Sequence, residues 1–177
     1  GDYDEAVRVA ELFLKGGVVT RLAPRRGEAR ALSADARHGV WHLPLAVLID
    51  TGTSGPAEVL AAGLAEGGRA TLIGSRTIGR AGVQRAIPLD EGGLVLTVAR
   101  YLTPASKPIH GEGLEPNVAV ARRSDSEPAE GPDPVVEKAV EVLTGAAAKK
   151  AADLARPTAG HAHRMVRSSV TGERRAA

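Results

Sequence analysis

The amino-acid sequence predicts an α/β fold, in which a mixed β-sheet is flanked by helices and extended by a β-hairpin. Residues 45–50 form a short apolar run rich in β-branched side chains, followed by a Gly/Thr/Ser/Pro turn and a helical pattern. This order indicates a buried strand that leads directly into a helix. A second apolar run at 70–73 completes a strand–helix–strand unit, which favours a right-handed parallel crossover. Residues 82–88 and 93–101 are typical of an antiparallel hairpin, so both strand orientations are expected in one sheet.

The N-terminal part of the chain predicts one helix and two strands. Apolar residues at helical spacing indicate an amphipathic helix at residues 4–15, with an aspartate as its N-cap and two glycines after its end. Residues 18–22 and 28–33 are predicted as strands around a Pro-Arg-Arg-Gly turn. Residues 35–42 are polar and are predicted as a loop.

The segment after residue 56 predicts a helix, a strand and the hairpin. Residues 57–66 have a helical pattern that ends at two glycines, and a basic, glycine-containing loop at 74–80 follows the second buried strand. Apolar residues occupy both sets of alternating positions in 93–101, so both faces of that strand are expected to be at least partly buried. Residues 103–120 are predicted as a loop that ends in a short Val-Ala-Val run.

The C-terminal part divides into a linker, a helix and a tail. Residues 124–133 are rich in Pro, Glu, Asp and Ser and are predicted as a linker. A helix is predicted from Asp133, its N-cap, with Pro134 at the first position and an extension to residue 155. Residues 156–177 have the composition of a disordered basic tail. The predicted division is therefore a core at 1–123, a linker, a helix at 134–155 and the tail.

Composition and charge exclude several classes of function. The chain has no cysteine, which excludes disulfides and thiolate catalysis, and its aromatic content of 2% predicts an aliphatic core. From residue 145 onward the net charge is +5, so the rest of the chain carries −3 of the total of +2. The basic character belongs to the tail, and no nucleic-acid binding is expected of the core. No apolar run is long enough to span a bilayer.

An ordered series of motifs resembles the C-terminal processing (tail-specific) peptidases, which are S41 serine peptidases with a crotonase-like α/β fold. Residues 1–17 resemble the helix that follows the family's Asn-Pro-Gly-Gly turn. Residues 57–84 resemble its Ser-Glu-Ile helix, Gly-Arg-Ala strand and Thr-Phe-Gly-Lys-Gly-x-Val-Gln segment. Residues 96–120 follow its Thr-x-Ala-Arg-Tyr-x-Thr-Pro stretch and its closing Gly-x-Gly-Ile-x-Pro-Asp-Val. Residues 133–143 resemble the downstream helix. The resemblance implies a crotonase/ClpP-like mixed sheet.

The resemblance also locates the positions of the catalytic Ser/Lys pair. The family's nucleophile is the middle serine of Ser-Ala-Ser-Ala-Ser-Glu, three residues before the glutamate. The matching glutamate in this chain is Glu58, so Gly55 occupies the position of the nucleophile, called here the nucleophile slot. The family's base is the lysine of Phe-Gly-Lys-Gly, and Arg80 stands there. Gln84 matches the family's supporting glutamine, and Glu66 matches its acidic residue. Both members of the catalytic pair are therefore replaced.

These replacements predict a catalytically degenerate domain. An arginine keeps its proton in proteins and cannot act as a general base, and Gly55 has no side chain. Ser54, one residue before the slot, is the alternative nucleophile, with His38, His42 or His110 as a substitute base. The competing interpretation is that Thr53 or Ser54 caps the helix that follows. The backbone N–H groups of this helix start are also candidates for holding an anion or an oxyanion.

Two arginines are candidates for ligand binding. Arg76 and Arg80 flank a glycine-containing loop and suit an anion such as a peptide C-terminal carboxylate; alternatively they are solvated or paired with Glu58 or Glu66. No metal site is expected, since the His-x-His of the tail has no further ligand nearby. No cofactor is expected either.

Three functions are consistent with the sequence. The first is a degenerate S41 domain, a pseudoenzyme that binds a peptide or a protein partner. The second is an active serine peptidase that uses Ser54, and the third is a structural domain of a larger exported protein. By resemblance, a PDZ module and the strand preceding Gly1 are expected in the full-length chain, and the location is expected to be the cell envelope, periplasmic or exported. If the site is otherwise intact, Gly55→Ser with Arg80→Lys should restore some peptidase activity.

Overall fold

The computed structural model describes residues 1–121 and 131–155, with side chains described up to residue 145. The described part contains three α-helices, a 3-10 helix at Ala36–His38 and seven strands. The helices are α1 (Tyr3–Glu11), α2 (Pro56–Glu66) and α3 (Pro134–Ala155). The strands are β1 (Gly17–Pro24), β2 (Arg30–Ala34), β3 (Leu45–Ile49), β4 (Ala70–Gly74), β5 (Gly82–Pro88), β6 (Gly93–Leu102) and β7 (Val118–Ala119).

The strands form two sheets rather than one mixed sheet. An antiparallel sheet has the order β2-β1-β6-β5, and a parallel sheet has the order β3-β4-β7. The α/β class and the parallel pairing of β3 with β4 are confirmed. The hairpin does not join these parallel strands, because β6 pairs with β1 instead, with Arg21 opposite Leu102 and Pro24 opposite Ala99.

Helix α2 supplies buried side chains to both clusters of the apolar core. Val59, Ala61 and Ala62 pack in a cluster that includes Ile49 of β3, whereas Leu64 packs in a second cluster with residues of α1 and β1. Gly63 is required where α2 crosses β1, since a Cβ there would lie 2.8 Å from Val19 Cγ1 and 2.9 Å from the Val19 carbonyl oxygen. This close packing holds the last turns of α2 against β1 of the antiparallel sheet.

Helix α1 ends earlier than the sequence predicts. Its N-cap is Asp2, whose carboxylate accepts hydrogen bonds from the N–H groups of Asp4 and Glu5, as expected. After Glu11 the N–H groups of Leu12 and Phe13 bond to the carbonyls three residues earlier, so the α-helical pattern gives way to a tighter turn. Distant groups then hold the chain that follows. The Leu12 carbonyl accepts from the N–H groups of Val40 and Trp41, and the Phe13 carbonyl accepts from the Arg69 guanidinium. The prediction of helix up to residue 15 is therefore wrong.

The far half of the hairpin is exposed on both faces, which corrects the expectation of burial. Leu94, Val95 and Leu96 are 45%, 60% and 40% exposed. In β6, residues 99–102 pair with β1, so among the described strands only β5 lies beside the tip. The apolar residues at the tip consequently project beyond the core.

The C-terminal helix α3 begins as the sequence predicts. The Asp133 carboxylate accepts from the Val135 N–H at 2.7 Å, and Pro134 occupies the first helical position. Most of the predicted linker and the whole predicted tail lie outside the described residues. Within the described ranges, no helix is both long enough and apolar enough to cross a bilayer. The predicted Val-Ala-Val run contributes β7, which pairs in parallel with β4.

Candidate active site

The turn between β3 and α2 is closed by Asp50 and Thr53. The Asp50 carboxylate accepts from the N–H groups of Gly52 and Thr53 at 2.9 and 3.0 Å, and from the Thr53 hydroxyl at 3.2 Å. The Thr53 hydroxyl also accepts from the Asp50 N–H at 3.1 Å. Thr53 thus stabilises the turn after β3 and does not cap α2.

Gly55 is the apex of this turn and the N-cap of α2. Its backbone has φ 60° and ψ −121°, a combination that side-chain-bearing residues adopt only under strain. A strand that turns sharply into a helix at one strained residue is also the geometry of the nucleophile elbow. A Cβ at position 55 would point toward Tyr3, 3.4 Å from its hydroxyl oxygen, and would lie 3.7 Å from the Arg80 carbonyl oxygen. The structure therefore brings the nucleophile slot and the backbone of the base slot together.

Glu58 joins the start of α2 to the loop that carries Arg80. Its side chain is fully buried. The carboxylate accepts from the N–H groups of Gly55, Gly79 and Arg80 at 2.9, 2.7 and 2.8 Å, and from the Thr77 hydroxyl at 2.5 Å. Four donors satisfy the buried charge, which makes the cost of burying it acceptable. Glu58 is therefore the residue that sets the shape of the site.

The start of α2 has no N–H group left for an anion, which corrects the expectation from the sequence. The Gly55 N–H is bound by Glu58, and the N–H groups of Ala57 and Glu58 are directed to the carbonyls of Ser54 and Gly55. The remaining position is Pro56, which has no N–H. An oxyanion hole at a helix start needs such a donor. The sequence carried this signal, since a proline directly after the slot removes the donor.

Ser54 is half-buried and does not cap α2. Its hydroxyl makes no hydrogen bond to any residue in the described ranges, and none of the three candidate histidines contacts it by a hydrogen bond. His38 pairs with Glu11 at 3.2 Å, and His42 lies beside Phe13 in a surface cavity. The Nδ1 atom of His110 is buried without a hydrogen-bond partner and lies beneath Gly82. No described base therefore activates Ser54 in this structure.

The two candidate arginines differ in their pairing. Arg76 forms an ion pair with Glu115 at 2.6 Å, and both side chains are more than half exposed. Arg80 is exposed, and its guanidinium makes no hydrogen bond or ion pair with a described residue. Neither pairs with Glu66, whose carboxylate instead accepts from the Ala105 N–H.

Gln84, the residue that the sequence predicts as a support of the catalytic pair, lies on the hairpin. Gln84 is exposed on β5, opposite Thr97 of β6, where the register shifts between Val83 and Gln84. Its side chain makes no hydrogen bond within the described part of the chain. Among the described residues there is also no cluster of three or more His, Cys, Asp or Glu side chains that could hold a metal ion.

Tyr3 is a member of the site that sequence reasoning missed. Its hydroxyl faces the carbonyl oxygens of Arg80 and Gly82 at 3.5 and 3.4 Å. Its ring stacks on that of Tyr101, with 4.1 Å between centroids and an interplanar angle of 20°. Burial, and then the charge of Glu58, raise the pKa of Tyr3 above its ordinary value of 10, so the phenol is protonated at neutral pH.

Comparison with known proteins places this arrangement in a family. The family described as Peptidase family S41 matches residues 1–120. The carboxy-terminal-processing protease of Bartonella bacilliformis is 35% identical over 122 residues, which are 68% of this chain and 28% of that protein. The carboxy-terminal processing protease CtpA of Bacillus subtilis is 35% identical over 120 residues, 67% of this chain and 26% of the relative.

A solved structure agrees with these sequence matches. The photosystem II D1 C-terminal processing protease superposes with a TM-score of 0.61 at 34% identity, covering 68% of this chain and 32% of that one. A peptidase structure from Parabacteroides merdae, at 19% identity and a TM-score of 0.68, shows the same fold. This chain spans between about a quarter and a third of the length of these curated relatives.

Proposed function

Because this chain belongs to peptidase family S41, we propose that it is a C-terminal-processing-peptidase-like domain that binds a polypeptide and does not cleave it. The observation that carries the proposal is Gly55, which occupies the apex of the elbow with a backbone conformation suited to glycine. No side chain at that apex can attack a peptide carbonyl.

Two further features support a silent site. Arg80 stands at the predicted base position, and a guanidinium keeps its proton in proteins, so it cannot act as a general base. Pro56 removes the N–H that would otherwise face an oxyanion at the helix start. Nucleophile, base and oxyanion donor are thus each replaced, and loss of the nucleophile or base alone lowers peptidase rates by several orders of magnitude.

Polypeptide binding is the function that this geometry still supports. The relatives are named for processing carboxy termini. Arg80, whose backbone carbonyl lies beside the slot, has an exposed guanidinium without a described partner. A guanidinium binds a carboxylate through two parallel hydrogen bonds. We therefore propose Arg80 as the group that takes a C-terminal carboxylate, and Arg76, already paired with Glu115, as a lesser contributor.

The domain division, the cellular location and the role of Gln84 are part of the same proposed function. We propose that residues 1–123 form the peptidase-like core, with a crotonase-like architecture once the preceding strand is present. A PDZ module in the full-length protein and a location in the cell envelope stay predictions that rest on the motif resemblance. Gln84, exposed on β5, is proposed as a support of the binding surface rather than of catalysis.

Replacing Arg80 with glutamine is expected to weaken binding of a peptide with a free C-terminus about tenfold, since a bidentate charged contact is lost. The probe is a fluorescein-labelled octapeptide of alternating alanine and valine behind a Gly-Ser leader, followed by fluorescence anisotropy. Arg76→Gln is the matched control and should change affinity less than about threefold. Absence of saturable binding by the parent protein would contradict the proposal and favour a purely structural domain.

A further inference from the structure

Tyr3 presents its hydroxyl to the vacated nucleophile slot. A Cβ atom built on Gly55 would lie 3.4 Å from the Tyr3 hydroxyl oxygen. Gly55 leaves that space free of its own atoms. A ligand oxygen that approaches Gly55 on the side of its missing Cβ therefore comes next to the Tyr3 hydroxyl.

The Tyr3 O–H is available to such an oxygen. Its two present acceptors, the carbonyls of Arg80 and Gly82, lie 3.5 and 3.4 Å away. These distances exceed the 2.5–3.0 Å, roughly, of a well-formed O–H···O bond. The hydroxyl can exchange these weak contacts for a shorter one to a ligand with little cost.

The phenol is also held in place. Tyr3 is the first residue of α1, whose start is capped by Asp2, and its ring stacks on Tyr101, which is itself 6% exposed. The raised pKa of Tyr3 keeps the group a donor across the neutral range. Because the phenol is already rigid, it loses little conformational entropy when a ligand binds, and this favours affinity.

We propose that Tyr3 is a binding residue of this site, and that its hydroxyl donates a hydrogen bond to a backbone carbonyl oxygen of a bound peptide in the space that a nucleophile would occupy. This inference rests on the proposed polypeptide binding and adds the group that holds the peptide backbone. Tyr3 and Arg80 then divide the recognition, with Arg80 taking the terminal carboxylate and Tyr3 a neutral carbonyl.

The test compares Tyr3→Phe with Tyr101→Phe in the anisotropy assay described above. Tyr3→Phe keeps the stacked ring and removes the hydroxyl. Tyr101→Phe removes the other phenol of the stack, which is not among the three atoms nearest the Cβ position of residue 55. Each variant is titrated with the octapeptide carrying a free carboxylate and with its C-terminal amide. Tyr3→Phe is expected to weaken both peptides about fivefold to tenfold, and Tyr101→Phe less than about twofold. Arg80→Gln is expected to weaken only the carboxylate form.

The outcomes separate this inference from the function on which it rests. Equal affinities for the parent and Tyr3→Phe would overturn the role of Tyr3 and leave polypeptide binding standing. No saturable binding by the parent would overturn both. An independent readout is the amide resonance of Gly55 in the parent protein during the peptide titration. A saturable shift there is expected, and an unmoved Gly55 signal alongside binding would place the peptide elsewhere and overturn the inference.

Discussion

Replacing Glu58 with alanine is expected to lower the free energy of unfolding by about 4 kcal/mol. The substitution leaves the N–H groups of Gly55, Gly79 and Arg80 and the hydroxyl of Thr77 without their buried acceptor. In a domain of this size such a loss corresponds to a fall in Tm of about 10 °C. Denaturant unfolding followed by circular dichroism measures the change.

Two matched variants identify the cause of this loss. Glu58→Gln keeps the side-chain volume but turns an amide NH2 toward donors, so roughly half of the loss, about 2 kcal/mol, is expected. Glu66→Ala removes an exposed carboxylate of the same helix with a single bond to the Ala105 N–H and should cost less than about 1 kcal/mol. Equal destabilisation by Glu58→Ala and Glu66→Ala would refute the role assigned to the buried carboxylate.

The double variant Gly55→Ser with Arg80→Lys, which restores the Ser/Lys pair, is expected to be inactive. Adding Pro56→Ala is expected to raise the peptidase rate at least about 100-fold over that of the double variant. The structure changes the expectation from the sequence, because Pro56 leaves the helix start without a donor for the oxyanion. Alanine returns the N–H at the first helical position, which has no partner within the helix. Hydrolysis of a fluorogenic casein by the two variants measures the difference.

The reverted serine must also adopt a backbone with φ near 60°, at a cost of about 1–3 kcal/mol that nucleophile elbows sustain. Thermal unfolding of each variant therefore accompanies the rates. Pro56→Ala alone is the control and should stay at background, since it provides no nucleophile. A double variant as active as the triple variant would show that Pro56 does not limit the site.

Local patterns predicted the elements around the site well. The strand β3, the helix α2 and the strand β4 follow from apolar periodicity and from glycines at the ends of the pattern, and these signals depend on neighbouring residues only. The same holds for the Asp133 cap of α3. The family spacing predicts Gly55 and Arg80 as the positions of the catalytic pair, and the Arg80 carbonyl oxygen lies 3.7 Å from the Cβ position of residue 55; the roles of these two positions stay predictions.

Contacts between distant residues account for what the sequence could not predict. The chain directly after α1 is held by Val40, Trp41 and Arg69, and the separation into two sheets depends on pairing between β1 and β6. The binding of Thr53 to Asp50 is instead a local contact, in which the Asp50 carboxylate accepts from both the N–H and the hydroxyl of Thr53, so that this hydroxyl is not available to cap the helix. Tyr3 enters the site from a position 52 residues before Gly55, and no local pattern indicates such a contact.

Comparing the full-length protein with its Ser54→Ala variant shows whether the site at the start of α2 is silent. Both are incubated with an unfolded protein substrate and, separately, with a fluorophosphonate that labels activated serines. We expect no cleavage above background, no labelling, and identical results for the two proteins, because Ser54 has no described base and Gly55 cannot attack. Cleavage or labelling by the parent protein that disappears in Ser54→Ala would contradict the claim and identify Ser54 as the nucleophile of an active peptidase.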